Sequence, residues 1–241
     1  KPVDEDHLLD VLSSAVENRS LQQSIEKLPN ESTVDDLEFK AAFEHLPTQD
    51  PTMLRLFHQA ETLAEGNLNI FISGERGSGK KSLARAIHNA RGNKGGLCKV
   101  LDCTNHTPDE FSGVLFGRAK DWSGISEEIP GALSEASGGT LFINNIEHMS
   151  PAVQLRLNHV LHTGEYYRDN STEILQADVR FIVSSTHDLT SSQFRESFSR
   201  DLLYHVMVNS LQIPPLRERP DDIPILAQYF LDEENRQNNK K

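Results

Sequence analysis

Short apolar runs alternate with helical patterns in the part of the chain that follows residue 66. The runs lie at residues 68–73, 98–101, 140–143, 179–184 and 210–213. Between them, apolar residues recur at helical spacing in residues 81–89, 151–161 and 198–208. Continuous apolar strands that alternate with helices are typical of a parallel sheet covered on both faces. The pattern therefore predicts an α/β fold in which helices sandwich a parallel sheet.

The two ends of the chain carry helical patterns without strands. In residues 4–28 the apolar positions at helical spacing are Leu8, Leu12, Val16, Leu21, Ile25 and Leu28. This amphipathic helix either pairs with a second helix or packs alone on a neighbouring domain, and the pattern leaves both open. A polar stretch predicts a linker over residues 29–47, and Pro51 suits the first turn of the next helix. A further helix is predicted over residues 223–241.

The charge balance is acidic, with 36 acidic residues against 24 basic ones and a formal net charge of −12. A broad nucleic-acid footprint needs clustered Lys and Arg, so we expect any DNA contact from a part outside this chain. Cys98 and Cys103 have no companions at metal-ligand spacing, which predicts free thiols and no metal site. No apolar run approaches the roughly 20 residues of a membrane span. We therefore expect a cytoplasmic protein without a membrane segment.

A glycine-rich stretch between the first apolar run and the next helix carries the strongest chemical signal. It reads GERGSGK and matches the first seven positions of a P-loop. Its glycines let backbone N–H groups surround phosphate oxygens, and Lys80 would reach the outer phosphates. Lys81 stands where Ser or Thr normally contacts magnesium, so it either supports metal-independent binding or is a solvated helix residue. The predicted residues for ATP or ADP are Gly74, Glu75, Arg76, Gly77, Ser78, Gly79, Lys80, Lys81 and Ser82.

A second part of such a site is an acidic pair at the end of a neighbouring buried strand. Here the strand at 138–143 ends in Asn144 and Asn145. Asparagine brings no negative charge and cannot accept a proton as a base. Glu147 lies close by in sequence, but the backbone direction differs there, so its side chain would not take an equivalent position. Losing a general base typically costs about 10²–10⁴-fold in rate, so we expect very poor hydrolysis and no catalytic residue.

Three collinear stretches carry a family resemblance. They read GERGSGKKSLARAI at 74–87, GALSEASGGTLFINNIEHMS at 131–150 and IPPLRERPDDIP at 213–224. The chain resembles the AAA+ domain of bacterial enhancer-binding proteins, the NtrC-like activators of sigma-54. The resemblance implies an AAA+ nucleotide-binding core over residues 48–222 and the start of a helical lid at 223–241. Residues 1–28 are similar to the end of a receiver domain followed by a helical linker.

The same resemblance implies partners, and it also shows where this sequence departs from the family's motifs. It implies self-association as a dimer or ring, contact with RNA polymerase, and DNA binding through a helix-turn-helix domain outside this chain. Active members carry a GAFTGA loop after Leu-Phe-Gly, whereas this sequence continues differently over 118–125. Thr186 is collinear with the family's phosphate-sensing Asn. The arginine fingers of the family fall near Ser199 and His205, with Arg200 beside the first.

The joint departures predict a repurposed domain, similar to atypical members of the family such as the biofilm regulator VpsR. The first hypothesis is a transcriptional regulator of a two-component system that binds nucleotide but does not hydrolyse it. The alternatives are an active sigma-54 activator and a protein-interaction module with an empty pocket. Some members of the family bind cyclic di-GMP through arginines, and Arg76 and Arg85 could serve, although their spacing does not demand it.

Overall fold

A parallel sheet of five strands forms the centre of the molecule, whose computed structural model describes residues 33–91, 96–120, 127–187 and 198–238. Its strands are β1 (Ile70–Ser73), β2 (Cys98–Asp102), β3 (Gly139–Asn144), β4 (Val179–Ser185) and β5 (Ser210–Gln212). They lie in the order β2-β3-β4-β1-β5, and every neighbouring pair is parallel. The predicted sheet is thereby confirmed.

The strand register brings the carboxyl ends of the strands to one edge. Asp102 of β2 pairs with Asn144 of β3, and Ser73 of β1 pairs with Ser185 of β4. Side chains that follow these strands therefore meet above this edge, where ligands bind in open α/β sheets.

Helices cover both faces of the sheet. They are α1 (Lys40–Phe43), α2 (Pro51–Glu65), α3 (Lys80–Ala90), α4 (Pro108–Phe116), α5 (Ala132–Glu135), α6 (Pro151–Thr163), α7 (Arg200–Val206) and α8 (Asp222–Gln237). One core packs α1 to α3 on the sheet, and the other packs α4 to α7 on the opposite face. Pro51 occupies the predicted first turn of α2, where the Asp50 carboxylate accepts from two backbone N–H groups.

Part of the expected linker belongs to the folded core. In residues 29–47, described from Thr33 onward, Leu37 is 3% exposed and Phe43 is 2% exposed. The Phe43 ring lies 5.0 Å from that of Phe57 on α2. The polar residues dominate the sequence pattern here, but the few apolar ones pack on α2 and fix the segment.

Two short hairpins lie on the α4–α6 side of the sheet. Gly117–Arg118 pairs with Ile129–Pro130, and Glu165–Tyr166 pairs with Leu175–Gln176. They touch through Asp169, whose backbone exchanges hydrogen bonds with Gly117 and Ala119. Helix α4 was not predicted, although Thr107 and Glu110 form a capping box at its start.

Several expectations fall outside the described residues. These are the helix at 4–28 and most of the segment at 118–125, where the sigma-54 loop departs from its usual sequence. Within the part of the chain that the structure describes, no helix has the length and apolar character needed to cross a membrane.

Candidate functional site

The glycine-rich stretch forms the loop that joins β1 to α3. Gly77 has φ 82° and Gly79 has φ 105°, in the left-handed region that side chains rarely adopt. Lys80 is the first residue of α3, directly after Gly79. The loop therefore has the strand, turn and helix order of a phosphate-binding loop.

Lys80 lies over this loop and is 7% exposed. Its Nζ donates to the carbonyl oxygens of Gly74 at 2.8 Å and Glu75 at 2.9 Å. Burial lowers the pKa of Lys80, and the nearby Glu147 carboxylate opposes that shift. Lys81 and Ser82 are exposed on the first turn of α3.

Two arginines tie the loop to the segment that precedes α8. Arg217 donates from Nη1 to both carboxylate oxygens of Glu75, at 2.7 and 2.8 Å. Arg219 donates to the Ser78 carbonyl oxygen at 3.1 Å and pairs with the buried Asp222. Glu75 is thus held by Arg217 and does not line the cavity described below.

The two asparagines turn their amide nitrogens towards the end of β2. Asn144 Nδ2 donates to Asp102 Oδ2 at 2.6 Å, and Asn145 Nδ2 donates to Asp102 Oδ1 at 2.9 Å. The Asp102 carboxylate also accepts from Thr104 N and Oγ1, at 3.0 and 2.6 Å. Ser184 on β4 donates to Asn144 Oδ1 at 2.6 Å, so Asn144 uses both ends of its amide.

These contacts keep Asp102 ionised. Burial alone would raise the pKa of the Asp102 carboxyl, but the hydrogen bonds from Thr104, Asn145 and Asn144 lower it to about 2. The carboxylate thus bears a negative charge at neutral pH that four protein donors stabilise.

Glu147 connects the end of β3 to the end of β4. Its side chain is 2% exposed, and Oε1 accepts from Thr186 N at 3.0 Å and from Thr186 Oγ1 at 2.5 Å. Burial raises the pKa of Glu147, but the Thr186 and His187 hydrogen bonds outweigh it and lower the pKa overall. Glu147 does not line the cavity, as expected from its place in sequence.

A cavity of about 670 Å³ lies beside the loop, above the ends of β2 and β3. It is lined by Arg76, Gly77, Gly79, Lys80, Lys81, Asp102, Thr104, Asn144, Asn145, His148 and Thr186. A larger cavity of about 960 Å³ lies on the other side of the loop, against α2, and includes Gly74 and Glu75. Both lysines line the smaller cavity, which makes it the candidate site for phosphate groups.

Comparison with known proteins assigns this arrangement to a family. Residues 46–212 match the Sigma-54 interaction domain. The chain belongs to the sigma-54 interaction domain family. Over 189 residues it is 36% identical to the Nif-specific regulatory protein of Azorhizobium caulinodans, covering 78% of this chain and 31% of that protein. It is 33% identical over 241 residues to the transcriptional regulatory protein ZraR of Klebsiella oxytoca, covering 100% of this chain and 52% of ZraR.

Solved structures show the same fold as this sigma-54 interaction domain. NtrX from Brucella abortus in complex with ADP superposes with a TM-score of 0.74 at 29% identity, covering 100% of this chain and 49% of NtrX. NtrX in complex with ATP gives a TM-score of 0.72 at 29% identity, covering 98% of this chain and 51% of NtrX. The AAA+ fold predicted from the sequence is confirmed. The chain spans about half or less of these relatives, between 31% and 52% of their length.

The residues predicted near the family's arginine fingers lie apart from the smaller cavity of this sigma-54 interaction domain. Ser199 caps α7, and Arg200 is exposed at its first turn. His205 in the last turn of α7 has its ring 5.7 Å from that of His162. Within one chain, these residues do not line the cavity. Arg85 is exposed one turn along α3 and is also absent from the lining, whereas Arg76 is present.

Sequence reasoning missed Asp102, Thr104 and His148 in the cavity of this domain. Asp102 could have been found, because it directly follows an apolar run and parallel strands end at a common edge. Thr104 and His148 carry no such signal, since short 3₁₀ turns after β2 and β3 place them there.

Proposed function

We propose that this chain is the nucleotide-binding module of a transcriptional regulator, which binds ATP or ADP and hydrolyses it very poorly. Nucleotide binding is supported by the loop with Lys80 at the start of α3 and by the solved structures of NtrX in complex with ADP and with ATP. The regulatory role is supported by the match over residues 46–212 and by relatives that are themselves regulatory proteins.

The expectation of very poor hydrolysis rests on the two side chains at the end of β3. The side chains there are those of Asn144 and Asn145, and their amide nitrogens point at Asp102. An amide cannot take a proton from an attacking water. Asp102 already accepts four hydrogen bonds, and Glu147 lies outside the cavity lining. Among the residues described, none is therefore placed as an efficient carboxylate base.

The full-length protein is proposed to act in a two-component system. Self-association as a dimer or ring, contact with RNA polymerase and cytoplasmic location follow from this assignment. DNA binding is assigned to a helix-turn-helix domain outside this chain, because the chain itself carries a net charge of −12. The altered sequence at 118–125 supports engagement of the polymerase without the usual sigma-54 loop.

Calorimetric titration of ATP and ADP, with a phosphate-release assay on the same samples, tests the proposal. We expect binding heat with both nucleotides and phosphate release no faster than that of a Lys80→Ala variant. Lys80→Ala should also abolish the heat, because Lys80 is the buried cation of the loop. Lys40→Ala is the matched control, since Lys40 lies on α1 in a surface ion pair with Asp35.

Two outcomes would contradict the proposal. Phosphate release that exceeds the Lys80→Ala background would identify a working ATPase. Absence of heat from the folded chain with either nucleotide would leave a protein-interaction module as the better assignment.

A further inference from the structure

The AAA+ fold implies a magnesium ion beside the nucleotide, and the residues of this site can be tested for it. Magnesium takes oxygen ligands in octahedral geometry and is usually held by one or two carboxylates together with substrate phosphates. The position that would present a hydroxyl is Lys81, on the first turn of α3 and in the cavity lining. A lysine ammonium has three donors and no acceptor, so it repels a divalent cation.

The cavity's carboxylate already has hydrogen-bond donors on both of its oxygens. An ionised carboxylate offers about four lone-pair sites. Asp102 accepts four hydrogen bonds, three on Oδ1 from Thr104 N, Thr104 Oγ1 and Asn145 Nδ2, and one on Oδ2 from Asn144 Nδ2. A metal bound through Oδ1, or through both oxygens, would require at least one of these donors to leave.

The asparagines do not replace the missing ligands. Asn144 donates to Asp102 and accepts from Ser184, so its amide oxygen lies towards β4. Asn145 also directs its amide nitrogen to Asp102. The donor set at the end of β3 therefore does not fit magnesium.

The same cavity is instead arranged for anions. Its lining includes three cationic side chains, Arg76, Lys80 and Lys81, against the one carboxylate of Asp102. Both lysines lie in the first turn of α3, which contains no acidic residue. Cations at a helix N-terminus are unfavourable with the helix dipole. A polyphosphate placed there would relieve this repulsion.

We propose that this site binds its nucleotide without a divalent ion, with Lys81 neutralising the phosphate charge that magnesium would otherwise neutralise. The inference rests on the nucleotide binding proposed above and specifies the bound form as metal-free nucleoside di- or triphosphate. Added magnesium should then weaken binding for two reasons. It neutralises part of the charge of the free nucleotide, and the magnesium–nucleotide complex would place a second cation close to Lys81 in the cavity.

Calorimetric titration of ATP in excess EDTA and in excess magnesium tests the inference. For the unmodified chain we expect affinity in EDTA that equals or exceeds the affinity in magnesium. Lys81→Thr should weaken binding in EDTA by about tenfold or more, as expected for loss of a charged hydrogen bond to phosphate. Arg85→Thr is the matched control, because it removes one exposed charge from the same helix outside the cavity lining. Its affinity in EDTA should change by less than about threefold.

The outcomes separate this inference from the proposed function. Binding in magnesium that is lost in EDTA would overturn metal-free binding and leave nucleotide binding intact. Equal affinities of Lys81→Thr and the unmodified chain in EDTA would overturn the role of Lys81. A folded chain that gives no heat in either buffer would overturn both proposals, and thermal unfolding of each sample establishes that it is folded.

Discussion

Asp102 lies at the end of β2, and its carboxylate accepts hydrogen bonds from three side chains and one backbone N–H. Asn144 and Asn145 donate to it from β3, and Thr104 donates twice from the following turn. Hydrogen bonds to a charged acceptor are stronger than neutral ones, so this cluster should stabilise the contact between β2 and β3.

Asp102→Asn is expected to lower the free energy of unfolding by roughly 1–3 kcal/mol near neutral pH, because several donors lose a charged acceptor. The folded pKa of about 2 lies below the ordinary value of 3.8. The contribution of Asp102 is therefore present above about pH 4 and is lost as the pH falls towards 2. Urea unfolding of both proteins across this range measures it.

Asp232→Asn serves as the control for this pH series, since Asp232 is exposed on α8. A stability difference between the unmodified chain and Asp102→Asn that does not shrink with acidification would contradict the assignment.

Asn144→Asp would place a second carboxylate against Asp102, where Asn144 Nδ2 now lies 2.6 Å from Asp102 Oδ2. The two like charges should lower the melting temperature in EDTA. Magnesium should restore it, since a bound ion would neutralise both groups. Thermal unfolding with and without magnesium measures the effect.

Asn89→Asp is the matched control for this charge change, because Asn89 is exposed on α3. Magnesium should not change its melting temperature. If the Asn144→Asp protein were as stable in EDTA as the unmodified chain, the two carboxylates at positions 102 and 144 would not repel each other measurably, which would contradict the prediction.

At the level of elements, one buried arginine joins a helix end to the sheet. Arg180 on β4 is 3% exposed and donates to three carbonyl oxygens. Those of Leu63 and Ala64 lie in the last turn of α2, and that of Leu68 lies between α2 and β1. Helix ends leave carbonyls unpaired, and a cation there is favourable with the helix dipole. Burial lowers the pKa of Arg180 to about 10, so the side chain stays charged at neutral pH.

Arg180→Met should lower the free energy of unfolding by at least roughly 1–3 kcal/mol, because the buried carbonyls lose their donors. Arg236→Met on the exposed surface of α8 is the control and should stay within about 0.5 kcal/mol. Urea unfolding midpoints measure both. An Arg180→Met protein as stable as its control would show that water replaces the lost donors.

At the scale of the whole molecule, a network of buried groups links the glycine-rich loop to α8. Asp222 is fully buried and accepts from Thr48 Oγ1 at 2.7 Å, Gln49 N at 2.8 Å and Arg219 Nη1 at 3.3 Å. Arg219 also donates to the Ser78 carbonyl oxygen in the loop. The start of α8 is therefore held by the loop and by the segment before α2, while Phe230 and Leu231 further along are exposed.

Asp222→Ala should release this anchorage and lower the free energy of unfolding by roughly 3–5 kcal/mol, because the buried Arg219 guanidinium loses its carboxylate partner. Hydrogen exchange of α8 amides should accelerate more than that of β3 amides. Asp221→Ala is the adjacent control, since Asp221 is exposed and makes no capping hydrogen bond. Equal acceleration in β3 and α8 would indicate global unfolding and contradict a local role.

The sequence by itself determined the parallel α/β core, the glycine-rich loop that leads into Lys80 and the two amide side chains at the end of β3. Each of these is a local pattern: an apolar run, a glycine spacing with Lys80, or the residue identity at Asn144 and Asn145. Local patterns can be recognised in the sequence alone because they depend on residues that are near neighbours in the chain.

Only the tertiary structure decided what these residues touch. The contact of Asp102 with Asn144 spans 42 residues, and that of Glu147 with Thr186 spans 39. The burial of Leu37 and Phe43 in an otherwise polar segment depends in the same way on where α2 lies. The register between parallel strands sets such contacts, and crossover connections of variable length leave that register unspecified in the sequence.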